Sequence, residues 1–202
     1  MEALKFVVAP FLLGYFIGGI PFGFILVYAI KKVDVRKYGS GNIGATNVMR
    51  VAGFRWGVMA FLLDVIKGGL PVWLMLRWTN EPIIACCAGA GAMMGHAFPI
   101  YLRLRGGRGV ATGLGVFIPL APIAAGIAFG VWVVVLAAVR IVSVASMIAA
   151  VSMPIVLFLM QRELTSVLVL AVFGAVFVIC RHIPNIKRLV KGEEPKIGRR
   201  SN

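Results

Sequence analysis

The sequence predicts an all-α integral membrane protein of seven transmembrane helical segments, with the N-terminus outside and the C-terminus cytoplasmic. Three observations predict it. The 202 residues are 60% hydrophobic and their mean hydropathy is +0.96, too apolar for a domain whose surface must be wet. Apolar runs of about 20 residues, the length that crosses a hydrocarbon core, recur from end to end. The 21 Lys and Arg, set against 7 Asp and Glu, gather in blocks beside those runs. Such blocks record cytoplasmic loops and contacts with anionic lipid heads. They form no separate basic domain, which argues against nucleic-acid binding.

The first span runs from about Leu4 to Ile30, and reads as a span rather than a removable targeting segment. A polar loop, Lys31 to Arg55, follows. The second span covers about Trp56 to Leu76 and the third about Pro82 to Tyr101. After "RLRGGRG" comes an apolar stretch from Val110 to Val139. Its 30 residues would make about 45 Å of helix, overlong for a core of about 30 Å. Pro119 and Pro122 interrupt it, each removing a backbone donor and crowding the preceding turn. The stretch therefore splits into a half-helix, about Ala111 to Leu120, and a return helix, about Pro122 to Val139. Spans at about Ser143 to Met160 and Thr165 to Cys180 complete the set, and the whole of 1–202 reads as one polytopic domain.

The split sets the topology. With seven segments, 17 cations from Lys31 to Arg55, Arg103 to Arg108, Arg140 and the tail from Arg181 fall on one side, against Lys5, Arg77 and Arg162 on the other. Lys67 lies inside a span. Six unsplit helices would put the tail opposite the first two loops, against the positive-inside rule. Cys86, Cys87 and Cys180 make no CxxC pair and do not join the two histidines at ligand spacing, so reduced thiols, no metal and no cofactor are expected.

Three polar stretches then face the cytoplasm: "GSGNIGATNVMR", "GGRGVATG" and "RHIPNIKRLVKGEEPK". In the first two, glycines let successive amides point one way, and Gly106, Gly107 and Gly109 lead straight into the half-helix. Free N–H groups and the positive dipole end converge at such an entry, which suits an anion. Arg50, Arg108 and Arg188 make a phosphate the natural guest, with Ser40, Asn42, Thr46, Asn47 and Thr112 as further oriented donors. Neither loop fits a Walker A or a GxGxxG pattern. Asp64 and Lys67, three apart on one helix face, are either a self-neutralising pair or a carboxylate that orients cations while Lys67 reaches the ligand. His96 reads first as a packing residue. His182, close in sequence to Asn185 and Arg188, is the better candidate base. Glu194 either binds ligand hydroxyls or holds the tail against the loops.

Taken together, "SGNIGATNVMR", "DVIKG", "GGRGVATGLG" and "RHIPNIKRLVKGEEPKIG" resemble the bacterial membrane acyl-phosphate:glycerol-3-phosphate acyltransferases, the PlsY type, in order and almost from end to end. The resemblance implies the seven-helix fold in the inner (cytoplasmic) membrane and a site facing the cytoplasm. It implies a phosphate and glycerol site of Ser40, the Gly41 to Gly44 loop, Asn47 and Arg50 with Arg108, His182, Asn185 and Arg188. With the reading of the residues above, Ser40, Arg50, Arg108, His182 and Asn185 are expected to act on substrate, and Gly41, Asn42, Gly44, Thr46, Asn47, Lys67, Gly106, Gly107, Gly109, Thr112, Arg188 and Glu194 to bind it. The family usually has lysine where this chain has Arg108; arginine keeps the charge but replaces a compact ammonium by a planar fork. The implied partners are glycerol 3-phosphate, a long-chain acyl phosphate and membrane lipid, and a monomer is compatible with them.

Neither an HxxxxD pair nor a Ser-His-Asp or Cys-His set appears: Tyr101 stands five residues after His96. This fits a donor that is already activated. An acyl phosphate is a mixed anhydride, so direct transfer to the C1 hydroxyl needs mainly two anions held together, with a donor phosphate oxygen or His182 taking the proton. Two rivals remain from the residues alone. One is a transporter of an anionic solute, suggested by the break at Pro119 and Pro122; no second broken helix matches it. The other is a structural protein with lipid-anchoring loops, which leaves the glycines idle.

Overall fold

The computed structural model describes residues 2–160 and 165–197, with side chains from residue 6. Arg162, Gly198 and the Lys5 side chain, all used in the expectations above, lie outside the described residues. The described chain is helical and forms two compact units divided after Leu120.

In the first unit, the expected first span is present as α1 (Glu2–Gly18) and α2 (Phe22–Lys31), broken between them. The reason is local. Pro21 has no N–H and crowds the turn before it, so the helix stops at Gly18 and restarts at Phe22. The polar loop is also not all loop. A 3-10 turn at Val35–Lys37 leads to α3 (Ala45–Ala52), bounded by Gly44 and by Gly53 at φ +99°. The long α4 (Phe54–Thr79) ends on Asn80 in the left-handed region. Helix α5 (Pro82–Ala97) stops before Pro99, because a residue preceding proline is pushed out of helical geometry, and a 3-10 turn at Ile100–Leu102 completes the expected span. The half-helix is α6 (Val110–Leu120), as expected.

Close backbone approach builds this unit. Gly14 and Gly18 of α1 sit against Ala88 and Ala92 of α5, while Gly91 and Gly95 of α5 sit against Phe11 and Tyr15 of α1. Gly68 of α4 meets the backbone of Thr112 in α6, and Gly115 of α6 meets Val65. Small residues let helices approach where water exclusion does not drive them together. Across the α1–α5 seam, the Tyr15 hydroxyl donates to the Phe98 carbonyl at 2.6 Å. Beneath the polar loop, Val35 and Ile43 are buried with Val27, Val48, Ala60 and Leu102, which pins the loop to α2, α3 and α4.

The second unit holds α7 (Pro122–Val139), α8 (Val142–Leu159), α9 (Thr165–Arg181) and α10 (Ile183–Val190). Helix α7 packs on α8 and α8 on α9. Helix α10 lies in what the sequence presents as tail, bent 53° from α9.

Apolar side chains face outward throughout: Leu62, Ile66 and Trp73 on α4, Ile123 and Val134 on α7, Ile155 and Phe158 on α8. Among the described residues five helical stretches are long and apolar enough to cross a membrane, and six if α9 and α10 are one span. The first of the five is Phe6–Lys31, broken at Pro21; α6, at 11 residues, is shorter.

At Gly91 an added Cβ meets the Phe11 carbonyl, which is backbone and cannot rotate away. Gly91→Val is therefore expected to destabilise the first unit by about 1–3 kcal/mol, read as a lowered melting temperature in detergent.

Candidate functional site

Each unit carries a polar cluster. In the first, one carboxamide organises the glycine-rich loop. Asn47, on the first turn of α3, is buried, and its Oδ1 accepts the Ser40 N–H at 2.8 Å. Its Nδ2 donates to the carbonyls of Val35, Tyr38 and Asn42 at 3.1, 3.0 and 2.8 Å. Asn42 spends its own Oδ1 on the Gly44 N–H at 2.8 Å, an Asx turn that feeds α3. Gly39 must be glycine twice over: its φ is +59°, and a Cβ there would strike the Asn47 oxygen. Asn47 and Asn42 thus build the loop with groups that the sequence offers as ligand donors. Ser40 and Thr46 are half-buried and Arg50 is exposed at the surface of the same segment.

A second pair braces the approach to this loop. Asp34 caps the 3-10 turn by accepting the Arg36 N–H and binds the Arg36 guanidinium at 2.7 Å, while Arg36 reaches the Leu102 carbonyl at 3.4 Å. The guanidinium hydrogen bond holds the Asp34 carboxyl below the usual carboxylate range, against partial burial.

The "GGRG" loop is seated on the end of α5. The Gly106 N–H donates to the Ala97 carbonyl at 3.1 Å and the Gly107 N–H to the His96 carbonyl at 3.0 Å. These two amides are committed to α5, and they hold Arg108, which is half-buried, at the entry to α6. Gly109, at φ +82°, makes the turn into that helix. Below lie Asp64 and Lys67, both buried and 2.6 Å apart. The Lys67 ammonium also donates to the Ile20 carbonyl at 2.8 Å, so in this structure it serves a self-neutralising pair at the α1–α2 break. Thr112 is fully buried and its Oγ1 has no hydrogen-bond partner among the described residues.

The second cluster centres on Glu194. Its Oε1 accepts from Ser143 Oγ at 2.8 Å and from Asn185 Nδ2, and its Oε2 accepts from Arg188 Nε at 2.7 Å. The Ile197 N–H donates to the Arg140 carbonyl at 2.8 Å, so the tail is tied at two points to the α7–α8 turn and to α10. Of the two roles open to Glu194, this structure displays the second, holding the tail. Burial pushes the Glu194 carboxyl up, but the bonds from Asn185, Ser143 and Arg188 outweigh it and leave the group below its usual range. His182, buried at the start of α10, points Nδ1 at the Val178 carbonyl at 2.7 Å. A carbonyl can only accept, so Nδ1 carries a proton. Asn185 Oδ1 is buried without a hydrogen-bond partner among the described residues.

Ser143 and Asp34 are contributors that sequence reasoning missed. Ser143 carries no signal, being one serine at the start of an apolar span. Asp34, a lone acid inside a basic run two residues before Arg36, was legible as a turn cap.

Apolar helices whose polar loops present cations and oriented amides define a membrane protein suited to anionic ligands. The chain belongs to the glycerol-3-phosphate acyltransferase family, whose pattern matches residues 8–192. The glycerol-3-phosphate acyltransferase of Desulforamulus reducens is 42% identical over 186 residues, 92% of each chain. That of Syntrophotalea carbinolica is 40% identical, over 91% of this chain and 93% of the relative. Among solved structures, PlsY, an integral membrane glycerol 3-phosphate acyltransferase, superposes in its glycerol 3-phosphate form with a TM-score of 0.87 at 36% identity, covering 98% of this chain and 96% of that one. Its lysophosphatidic acid form gives 0.86 at 34% identity over the same shares.

Two outcomes are expected. Asn47→Ala leaves three carbonyls and one N–H to find new partners, and should cost about 3 kcal/mol, seen as a lower melting temperature and faster tryptic cleavage after Lys37. For Glu194, a folded-state pKa below the unfolded value means that the tie is complete above the ordinary carboxylate range and is lost as pH falls through the lowered value. Hydrogen exchange of the Ile197 amide, corrected for its intrinsic rate, should stay slow from neutral pH through the ordinary range and quicken below it. Glu194→Gln should quicken it already at neutral pH.

Proposed function

We propose that the protein transfers a long-chain fatty acyl group from acyl phosphate to the C1 hydroxyl of glycerol 3-phosphate. The products are 1-acylglycerol 3-phosphate and inorganic phosphate, and the reaction is the first acylation step of phospholipid biosynthesis. The observation that carries the reading is the chain-long likeness to PlsY, a glycerol 3-phosphate acyltransferase solved in glycerol 3-phosphate and lysophosphatidic acid forms.

Acyl phosphate as donor is the finer part of the proposal, and its support is chemical. Hydrolytic sets and the HxxxxD pair are missing from the sequence, which suits a donor that brings its own leaving group. The acceptor oxygen attacks the acyl carbonyl, the carbonyl carbon to phosphate oxygen bond breaks, and the proton goes to a phosphate oxygen of the donor. In this scheme Ser40, the Gly41 to Gly44 loop, Arg50 and Arg108 bind phosphate, Thr46 and Thr112 supply hydroxyls, and Arg188 adds a cation. Asn185 offers its unpaired Oδ1 to a hydroxyl. His182 orients the acceptor through Nε2. Charge held by preset donors is the main source of rate in such a site.

The whole chain, 1–202, acts as one polytopic domain of the inner membrane, as a monomer. Seven helical segments, with α6 the short one, put the N-terminus outside and the polar loops and C-terminus in the cytoplasm. The charge distribution supports this orientation.

The first test is acyl transfer by purified protein, with acyl phosphate or acyl-CoA as donor, following phosphate release and lysophosphatidate together. Coupled formation of both from acyl phosphate alone is expected; a folded, lipid-supplied protein that makes neither ends the acyltransferase reading. His182→Asn keeps a donor toward Val178 but has no basic nitrogen. With the donor phosphate as proton acceptor, its single-turnover rate should fall by no more than about tenfold, against roughly 10²–10⁴ for loss of a general base.

A further inference from the structure

The buried cluster under the "GGRG" loop is larger than charge neutralisation requires. Asp64 and Lys67 already cancel each other, and the Ile20 carbonyl takes a further ammonium proton. Yet His96, also buried, sets Nδ1 3.7 Å from the same Asp64 oxygen, an electrostatic contact longer than a hydrogen bond. The opposite edge of the ring lies against Gly107, where a Cβ would overlap Nε2. The His96 and Ala97 carbonyls, at the helix end where carbonyls lose their intrahelical partners, take the Gly107 and Gly106 N–H groups. One residue therefore touches the α4 carboxylate with its ring and the loop beneath Arg108 with both its ring and its backbone.

We propose that His96 is a positioning residue. Held at one edge by Asp64, its ring packs against Gly107 with the other while its carbonyl takes the Gly107 N–H, and so it sets the direction in which Arg108 leaves the loop. Lys67 keeps Asp64 in place from the α1–α2 break. The inference rests on the reaction proposed above, with Arg108 as a phosphate ligand, and adds what aims that ligand. A residue that merely filled space would need only volume, which leucine supplies; positioning needs the polar edge toward Asp64, which asparagine retains in part.

The test is a double-mutant cycle on kcat/KM for radiolabelled glycerol 3-phosphate, combining His96→Leu with Arg108→Ala. With melting temperature preserved, His96→Leu is expected to lower kcat/KM about tenfold or more, mostly through KM, because the loss is of phosphate binding. In the Arg108→Ala background the same change should cost less than about twofold, since its route of action is already gone. His96→Asn should recover part of the loss. Equal losses in both backgrounds, or an unchanged KM in folded His96→Leu, overturn the proposal. If His96→Leu fails to fold, the cycle is run with His96→Asn, and additivity there overturns it as well. A wild-type protein that makes no lysophosphatidate overturns the functional reading and this inference with it, whereas an active wild type with additive variants overturns this inference alone.

Discussion

The first unit depends on Asn47. A loop between hydrophobic helices has backbone groups that cannot be left unpaired, because each buried orphan costs about 1–3 kcal/mol. One carboxamide serves four of them: it accepts from Ser40 and donates to Val35, Tyr38 and Asn42. Three acceptors share two protons, so the geometry tolerates no amide rotated by half a turn. The loop's curvature, the left-handed Gly39 beside the Asn47 oxygen, and the exit of Ser40 all follow from that one side chain at the start of α3. Val35 and Ile43, buried at either end of the loop, supply the apolar half of the anchor.

The second cluster solves the same problem with a charge. Glu194 collects a hydroxyl, an amide and a guanidinium from Ser143, Asn185 and Arg188. A neutral side chain with one acceptor oxygen could not satisfy three donors, and three donors are what offset the cost of burying a carboxylate. In both clusters, loop shape is fixed by side chains and the glycines grant room. Gly107 leaves space for the His96 ring as Gly39 leaves space for Asn47.

Much of this was legible in the sequence, and the rest failed for identifiable reasons. The end of α6 and the start of α7 could be read because Pro119 and Pro122 interrupt a stretch too long for one span. Pro21 carries the same signal in a run, Leu4 to Ile30, that would itself make about 40 Å of helix, so this break was legible and was missed. Helices α3 and α10 are eight residues each, too short to show a periodic pattern, and their polar residues read as loop. Arg50, Arg108, His182 and Arg188 were visible as a set because cations and histidine are rare in apolar sequence. What could not be read was division of labour. That Asn47 builds the loop, and that Glu194 bonds Ser143, 51 residues earlier, are facts of tertiary contact with no local signature.

Arginine at position 188 follows from the same logic. Its Nε is committed to Glu194 Oε2 at 2.7 Å, while the side chain stays one-third exposed. An ammonium offers a single nitrogen, so a lysine bound to Glu194 would keep its charge centred on that carboxylate. The guanidinium is a rigid fork: with one edge held through Nε, its two terminal nitrogens stay fixed in direction and make no hydrogen bond among the described residues. The carboxylate offsets part of the positive charge, which weakens long-range attraction for an anion. In exchange the fork is aimed before any ligand arrives, and little rotamer entropy remains to be lost when one binds. Glu194 thus contributes to the Arg188 guanidinium by orientation what it subtracts in potential.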